Sequence, residues 1–221
     1  MTGGAVRVGR AIALGLARAG MDVAIGHHRS RRDARHVVAE LRAAGGRATA
    51  IRADLADPAA ARRLVATAAR ALGGLEVLVN SAAISTAPPL PPPGSGAPNR
   101  VLDVNLRGVF FCCQAAAGAM RRRGGHIVNV GDTAAAAARP NYIPYTLSKA
   151  GIESLTRGLA VALRSRRIAV NCVAPGAVLR PAGFSAARWR RVTRSHAGSV
   201  ADVVAAVLFF ATCPPTSRAR S

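Results

Sequence analysis

One lysine stands in the whole chain against thirty arginines, and acidic residues number only ten. Aromatic residues make up 4%, too few for the stacking platforms that hold single-stranded nucleic acid. The net charge of +21 therefore needs another origin. The arginines are spread over most segments and cluster only at 121–123 and at Arg188, Arg190 and Arg191 around Trp189. That distribution reads as compositional bias rather than a nucleic-acid footprint. Four cysteines, Cys112, Cys113, Cys172 and Cys213, form no CxxC pair. The pattern argues against a bound metal and for a reduced, cytoplasmic setting. No run of 18 apolar residues is present, so no transmembrane helix is expected.

What is present suits a single globular domain over residues 1–221, with half the residues hydrophobic. Helical and strand patterns alternate. Helices are expected over 8–19, 31–44, 58–72, within 99–122, 142–163 and 200–212. Apolar strands are expected over 21–26, 48–52, 75–79, 126–130 and 168–173. Short apolar strands separated by helices predict an α/β fold, a Rossmann-type doubly wound parallel sheet covered on both faces. In such sheets ligands sit at the carboxyl ends of the strands. The Pro- and Gly-rich stretch 87–98 breaks the pattern. It reads as a loop leaving a strand end, either bordering the site or merely connecting.

The lone lysine, Lys149, lies four residues after Tyr145, one of two tyrosines. At i and i+4 on a helix the two side chains share a face. A compact ammonium there favours a phenolate and brings a phenol toward neutral-pH proton transfer. Arginine, with its wide planar fork, is a poor substitute.

Other signals follow successive strands. Thr2-Gly3-Gly4-Ala5-Val6-Arg7-Val8-Gly9 opens the first helix. Glycines let backbone approach a pyrophosphate, and a helix N-terminus offers it free N–H groups. After the second strand pattern come His28, Arg29 and Ser30, where an acidic residue would bind a ribose 2′-hydroxyl. Basic and hydroxyl groups there suit a 2′-phosphate instead, so NADPH is preferred over NADH. Asp54 and Leu55 follow the next strand, at the place for an adenine ring. Asn80, Ser81 and Ala82 follow the next, small enough for close ligand approach.

These motifs together resemble the short-chain dehydrogenase/reductase family over nearly the whole chain. The glycine turn, Asp54-Leu55, Asn80-Ser81-Ala82, Val104-Asn105-Leu106, the Tyr145/Lys149 pair and Pro175-Gly176 recur in that family's order. The resemblance implies that Tyr145 passes a proton to a carbonyl oxygen as hydride leaves the nicotinamide. Lys149 would hold the nicotinamide ribose, Asn105 a relay water, and Pro175-Gly176 would pass beside the nicotinamide. It also implies a homo-oligomer, a tetramer or dimer. Three positions depart from the common pattern: Arg7 replaces the middle glycine, Asp132 a serine, and His28-Arg29-Ser30 the usual residues after the second strand. All three resemble the pteridine reductase branch, in which an Asp works with the Tyr. The segment 177–197 corresponds to the family's variable substrate loop, where Trp189 either covers a substrate or anchors the loop.

The resemblance also sets an expectation for the ends. The family's glycine turn follows a buried first strand, for which residue 1 leaves no room, and the tail 213–221 is polar and proline-broken. The expectation is a sheet lacking its first and last strands, with a true start upstream. The expected activity is NADPH-dependent reduction of a small carbonyl or pteridine-like substrate. The alternatives are reduction of a 3-oxoacyl thioester, an inactive truncated homologue, and a basic nucleic-acid-binding domain.

Overall fold

Alternation of apolar side chains along each strand builds two cores, one on each face of a parallel sheet. The computed structural model describes residues 1–85, 96–120, 124–136, 142–180, 183–193 and 198–213. The arginine cluster 121–123, most of the loop 87–98 and the tail beyond 213 lie outside them. The described elements are α1 (Arg7–Arg18), β1 (Val23–His27), α2 (Arg31–Ala43), β2 (Ala48–Arg52), α3 (Pro58–Leu72), β3 (Val77–Asn80), α4 (Ala97–Leu102), α5 (Gly108–Ala119), β4 (Gly125–Val130), α6 (Ile143–Ala162), β5 (Ile168–Val173), α7 (Ala186–Val192) and α8 (Val200–Thr212).

Every pairing is parallel. β1 pairs with β2 from Val23↔Ala48 to His27↔Arg52. β3 pairs with β4, and β4 with β5, giving a second set in the order β3-β4-β5. The two sets meet at Thr2, which bridges Gly26 on one side and Asn80 on the other. The seam is held by Thr2 N–H to Val79 O, Gly3 N–H to Gly26 O and Gly26 N–H to Met1 O, each 2.8–2.9 Å. The Met1 amino group adds a bond to Ala24 O at 2.6 Å. Where a first strand is expected to be missing, three residues join two half-sheets. Among the described residues no strand follows α8.

Successive strand residues face opposite layers. Leu78, Ile127, Ile168 and Val170 point into the core beneath α3, α5 and α6. Val79, Val128, Val23 and Ile25 point into the core beneath α1, α2 and α8. The helices match. Ala34, Val37, Val38 and Leu41 form the buried stripe of α2, and Ala61, Leu64, Val65 and Ala68 that of α3. Each fully buried Ile or Leu contributes about 1.5–3 kcal/mol of transfer free energy. The Asp57 side chain caps α3 by accepting from Ala59 N–H at 2.8 Å, and Ser199 and Asp202 cap α8 reciprocally.

Some expectations change, among them the strand expected over 75–79, which begins at Val77 and runs to Asn80. The strand expected over 21–26 begins at Val23 and runs to His27. Its first two positions form the turn out of α1, where Met21 N–H bonds Leu16 O. The helix expected within 99–122 is two helices, α4 and α5, joined by a π-helical turn at Asp103–Arg107. A wider turn of this kind re-aims a side chain and recurs at functional sites.

Candidate active site

The carboxyl ends of all five strands open on one edge, and the expected site residues follow them. Asp132 stands two residues past β4. The Tyr145 hydroxyl, from the first turn of α6, donates to Asp132 Oδ2 at 2.6 Å. Lys149, one turn further, is only 5% exposed. Its ammonium donates to Val130 O at 2.7 Å and lies 5.8 Å from the Tyr145 ring centre. Burial pushes the Lys149 pKa down, against opposing pulls from Asp132 and Cys172. The i, i+4 spacing thus sets phenol and ammonium along one helix face, with a carboxylate on the phenol oxygen.

Asn105 is buried inside the π-helical turn. Its Oδ1 accepts from Ile84 N–H at 2.8 Å, and its Nδ2 donates to Ile84 O at 2.8 Å and Ser148 Oγ at 3.1 Å. Ser148 Oγ in turn donates to Tyr145 O at 2.6 Å. Asn105 therefore ties the segment after β3 to the Tyr145 turn of α6.

The glycine turn has the shape that close backbone approach requires. Gly3 takes φ +67, and a Cβ there would lie 2.7 Å from Ala82 Cα and N. A Cβ on Gly9 would lie 2.0 Å from Gly3 O. No side chain caps the N-terminus of α1, leaving its first N–H groups for an anion. Arg7 sits in the left-handed region at φ +53, which costs a non-glycine residue about 1–2 kcal/mol. Its guanidinium reaches Leu179 O and Arg180 O at 3.3–3.4 Å, joining the turn to the chain after Pro175 and Gly176. Pro175 O accepts from Thr133 N–H at 3.1 Å, beside Asp132.

On the other half-sheet, His28 Nε2 lies 3.7 Å from Asp54 Oδ2. Arg29 is exposed, and the Ser30 side chain makes no capping bond to α2. Asp54 Oδ1 accepts from Ala56 N–H at 3.1 Å. Arg100 of α4 donates one nitrogen to both Asp54 oxygens, at 2.9 and 3.0 Å. Burial pushes the Asp54 carboxyl up, but the Ala56 N–H and the Arg100 guanidinium outweigh it and hold the carboxyl below its ordinary range.

Some expected residues serve the frame. The Leu55 side chain is buried in the core, so only its backbone can face a ligand. Val8 packs against the other core. The Asn80 side chain turns into the sheet, donating to Asn129 Oδ1 at 2.9 Å and Cys113 Sγ at 3.3 Å. Asn129 donates onward to Thr156 Oγ1 at 3.0 Å. Ser81 and Ala82 present backbone N–H groups to Thr2 Oγ1 at 3.1 and 3.2 Å. Sequence reasoning missed the contacts that Thr2, Ser148, Asn129 and Arg100 make with the expected site residues. Only Thr2, as the first residue of the glycine motif, carried a readable signal. Among the described residues no cluster could hold a metal ion, and no helix is long and apolar enough to cross a membrane.

Comparison with known proteins decides the family. Residues 1–190 match the short chain dehydrogenase family. The chain belongs to the short-chain dehydrogenase/reductase family. This short-chain dehydrogenase/reductase is 36% identical over 228 residues to a short-chain type dehydrogenase/reductase of Picea abies, covering 96% of this chain and 84% of that one. It is 38% identical over 180 residues to a 3-oxoacyl-(acyl-carrier-protein) reductase of Staphylococcus aureus, covering 81% of this chain and 73% of that one. Among solved structures, a short chain dehydrogenase of Burkholderia cenocepacia in complex with NADP superposes with a TM-score of 0.88 at 39% identity. That match covers 97% of this chain and 89% of the other. As a short-chain dehydrogenase/reductase the chain is an oxidoreductase with a nicotinamide cofactor.

Proposed function

We propose that the protein reduces a small carbonyl or pteridine-like substrate with NADPH, with Tyr145 as proton donor. The observation that carries this reading is the Tyr145–Asp132 hydrogen bond at 2.6 Å, one helical turn from the buried ammonium of Lys149. A carboxylate accepting from the phenol keeps the proton on Tyr145, which is the state a reductase needs before reaction. A nicotinamide held there would supply the hydride. Tyr145 then gives its proton to the substrate oxygen. Lys149, buried one helical turn away, stabilises the phenolate that remains. Asn105 bridges Ile84 and Ser148, and the Ser148 hydroxyl donates to the Tyr145 carbonyl.

The residues fit the dinucleotide. Gly3 and Gly9 leave no room for a Cβ, the N-terminus of α1 is uncapped, and Pro175 and Gly176 border Thr133, the neighbour of Asp132 in sequence. His28, Arg29 and Ser30 suit a 2′-phosphate, which a carboxylate in their place would repel. Fluorescence titration with NADPH and NADH tests the preference. Tighter NADPH binding, lost in Arg29→Ala, is the expected result; equal affinity for both would refute it.

A second reading, reduction of a 3-oxoacyl thioester, is supported by the Staphylococcus aureus relative and by one feature of this chain. No aromatic residue stands in 83–90 to stack on a flat pteridine ring. Initial rates with a 3-oxoacyl thioester, a small diketone and a pteridine separate the readings. We also propose a homo-oligomer, supported by a groove lined by Leu102, Leu106, Phe110 and Leu155 together with the Asp103–Arg107 ion pair. Sedimentation velocity of the purified protein tests it.

A further inference from the structure

We propose that Arg100 sets the NADPH preference of this enzyme by neutralising and positioning Asp54 at the adenosine end of the site. The inference rests on the dinucleotide reading above. Its starting point is a conflict of charges. His28 belongs to the loop suited to a 2′-phosphate, yet its Nε2 lies 3.7 Å from the Asp54 carboxylate. A bare carboxylate within one imidazole of that loop would repel a phosphate dianion. Arg100 resolves the conflict. It comes from α4, 46 positions along the chain, and one guanidinium nitrogen spans both carboxylate oxygens. Ala56 N–H takes a further lone pair of Oδ1. Asp54 is thereby fixed in one orientation and its charge is cancelled.

Stability is a poor explanation for the pair. Both side chains are more than a third exposed, and pairs of that kind contribute little to folding. The pair instead sits where the β2 carboxyl end, the loop after β1 and α4 converge, on the edge that binds ligands in doubly wound sheets. An uncharged acceptor or a missing carboxylate would avoid the repulsion too. The Asp–Arg pair differs from both in that the acceptor offered to the adenine is anchored by a guanidinium from α4 while its net charge is removed. Arg100 is thus a positioning residue that acts through Asp54.

The test is fluorescence titration of the wild type, Arg100→Met, Arg100→Lys, Asp54→Asn and the Asp54→Asn/Arg100→Met double variant with NADPH and with NADH. Arg100→Gln, which keeps length and polarity, is measured in parallel in case Met disturbs the fold. Arg100→Met and Arg100→Gln should weaken NADPH about tenfold and NADH only about threefold, the difference being the unscreened carboxylate facing the 2′-phosphate. Arg100→Lys should restore most of the NADPH/NADH ratio. In the Asp54→Asn background, Arg100→Met should leave that ratio unchanged, because no carboxylate remains to neutralise. A wild type that binds NADPH, with a ratio unmoved by Arg100→Met and Arg100→Gln, would overturn the inference while leaving the dinucleotide reading intact. A wild type that binds neither dinucleotide would overturn both.

Discussion

The Tyr145 hydroxyl donates to Asp132 Oδ2 at 2.6 Å, so the acid of the proposed reaction is held by a carboxylate rather than by a hydroxyl. Tyr145→Phe removes the transferable proton and keeps the ring. Turnover should fall by about 10²–10⁴, with NADPH affinity nearly unchanged. Asp132→Asn keeps an acceptor oxygen but loses the charge, and should lower kcat less than Tyr145→Phe. Steady-state rates beside NADPH titrations read both. Full turnover by Tyr145→Phe would remove Tyr145 from the mechanism.

Lys149→Arg keeps the positive charge and changes its shape. The site is 5% exposed and shaped to an ammonium bonded to Val130 O. A guanidinium overfills it, at a cost of about 1–3 kcal/mol. Activity should be largely lost and the urea midpoint should drop. Wild-type activity in Lys149→Arg would show that charge alone matters there.

Thr2 serves two N–H groups with one hydroxyl oxygen. Thr2→Val keeps the shape and leaves Ser81 and Ala82 N–H without that acceptor, costing about 1–3 kcal/mol. Thr2→Ser should recover most of it. Chemical denaturation compares the three proteins, and equal midpoints for wild type and Thr2→Val would count against the bridge.

Two histidines set an acid limit. Burial lowers the pKa of His126, with a smaller opposing pull from the Phe210 carbonyl. Burial also lowers His27, helped by Arg52, Arg31 and His28. Nδ1 of each is buried with no hydrogen-bond partner among the described residues. Because both pKa values lie below the ordinary 6.5 in the folded chain, the unfolded chain binds more protons in that window. The contribution of these two histidines should be full above pH 6.5 and fall as pH drops through the folded values. Denaturation midpoints at pH 5 and 7.5 measure the slope, and His126→Phe should flatten it. A pH-independent midpoint would contradict the buried, unpartnered placement of both Nδ1 atoms.

Local pattern exposed much of this protein. The five strands, the helices between them and the residues just past each strand end were readable from apolar runs and loop composition. So was the Tyr145/Lys149 pair, because a helix places i and i+4 together whatever surrounds it. What escaped depends on contacts far apart in sequence. Nothing in Arg100 announces a partner 46 positions earlier, and nothing in Asn80 shows that its amide turns inward to Asn129 instead of outward. The π-helical turn around Asn105 was hidden for a different reason: apolar spacing over 99–122 is the same for one long helix as for two joined by a single wide turn. Leu55 was half readable, since strand-end position shows where the backbone goes but not which way the side chain falls.

The seam at residues 1–3 has a metrological consequence. His28 and Asp54 ride on β1 and β2, while Asp132, Tyr145 and Lys149 ride on the sheet half containing β4 and the helix that packs on it. Within the sheet, the spacing between these two groups is gauged by the hydrogen bonds that Met1, Thr2 and Gly3 make. A slip of one residue there would offset the two ends by about 3.3 Å. Misplacement of about 1 Å already costs two orders of magnitude in rate. Three residues far from the reacting proton thus calibrate the ruler along which a dinucleotide would be laid.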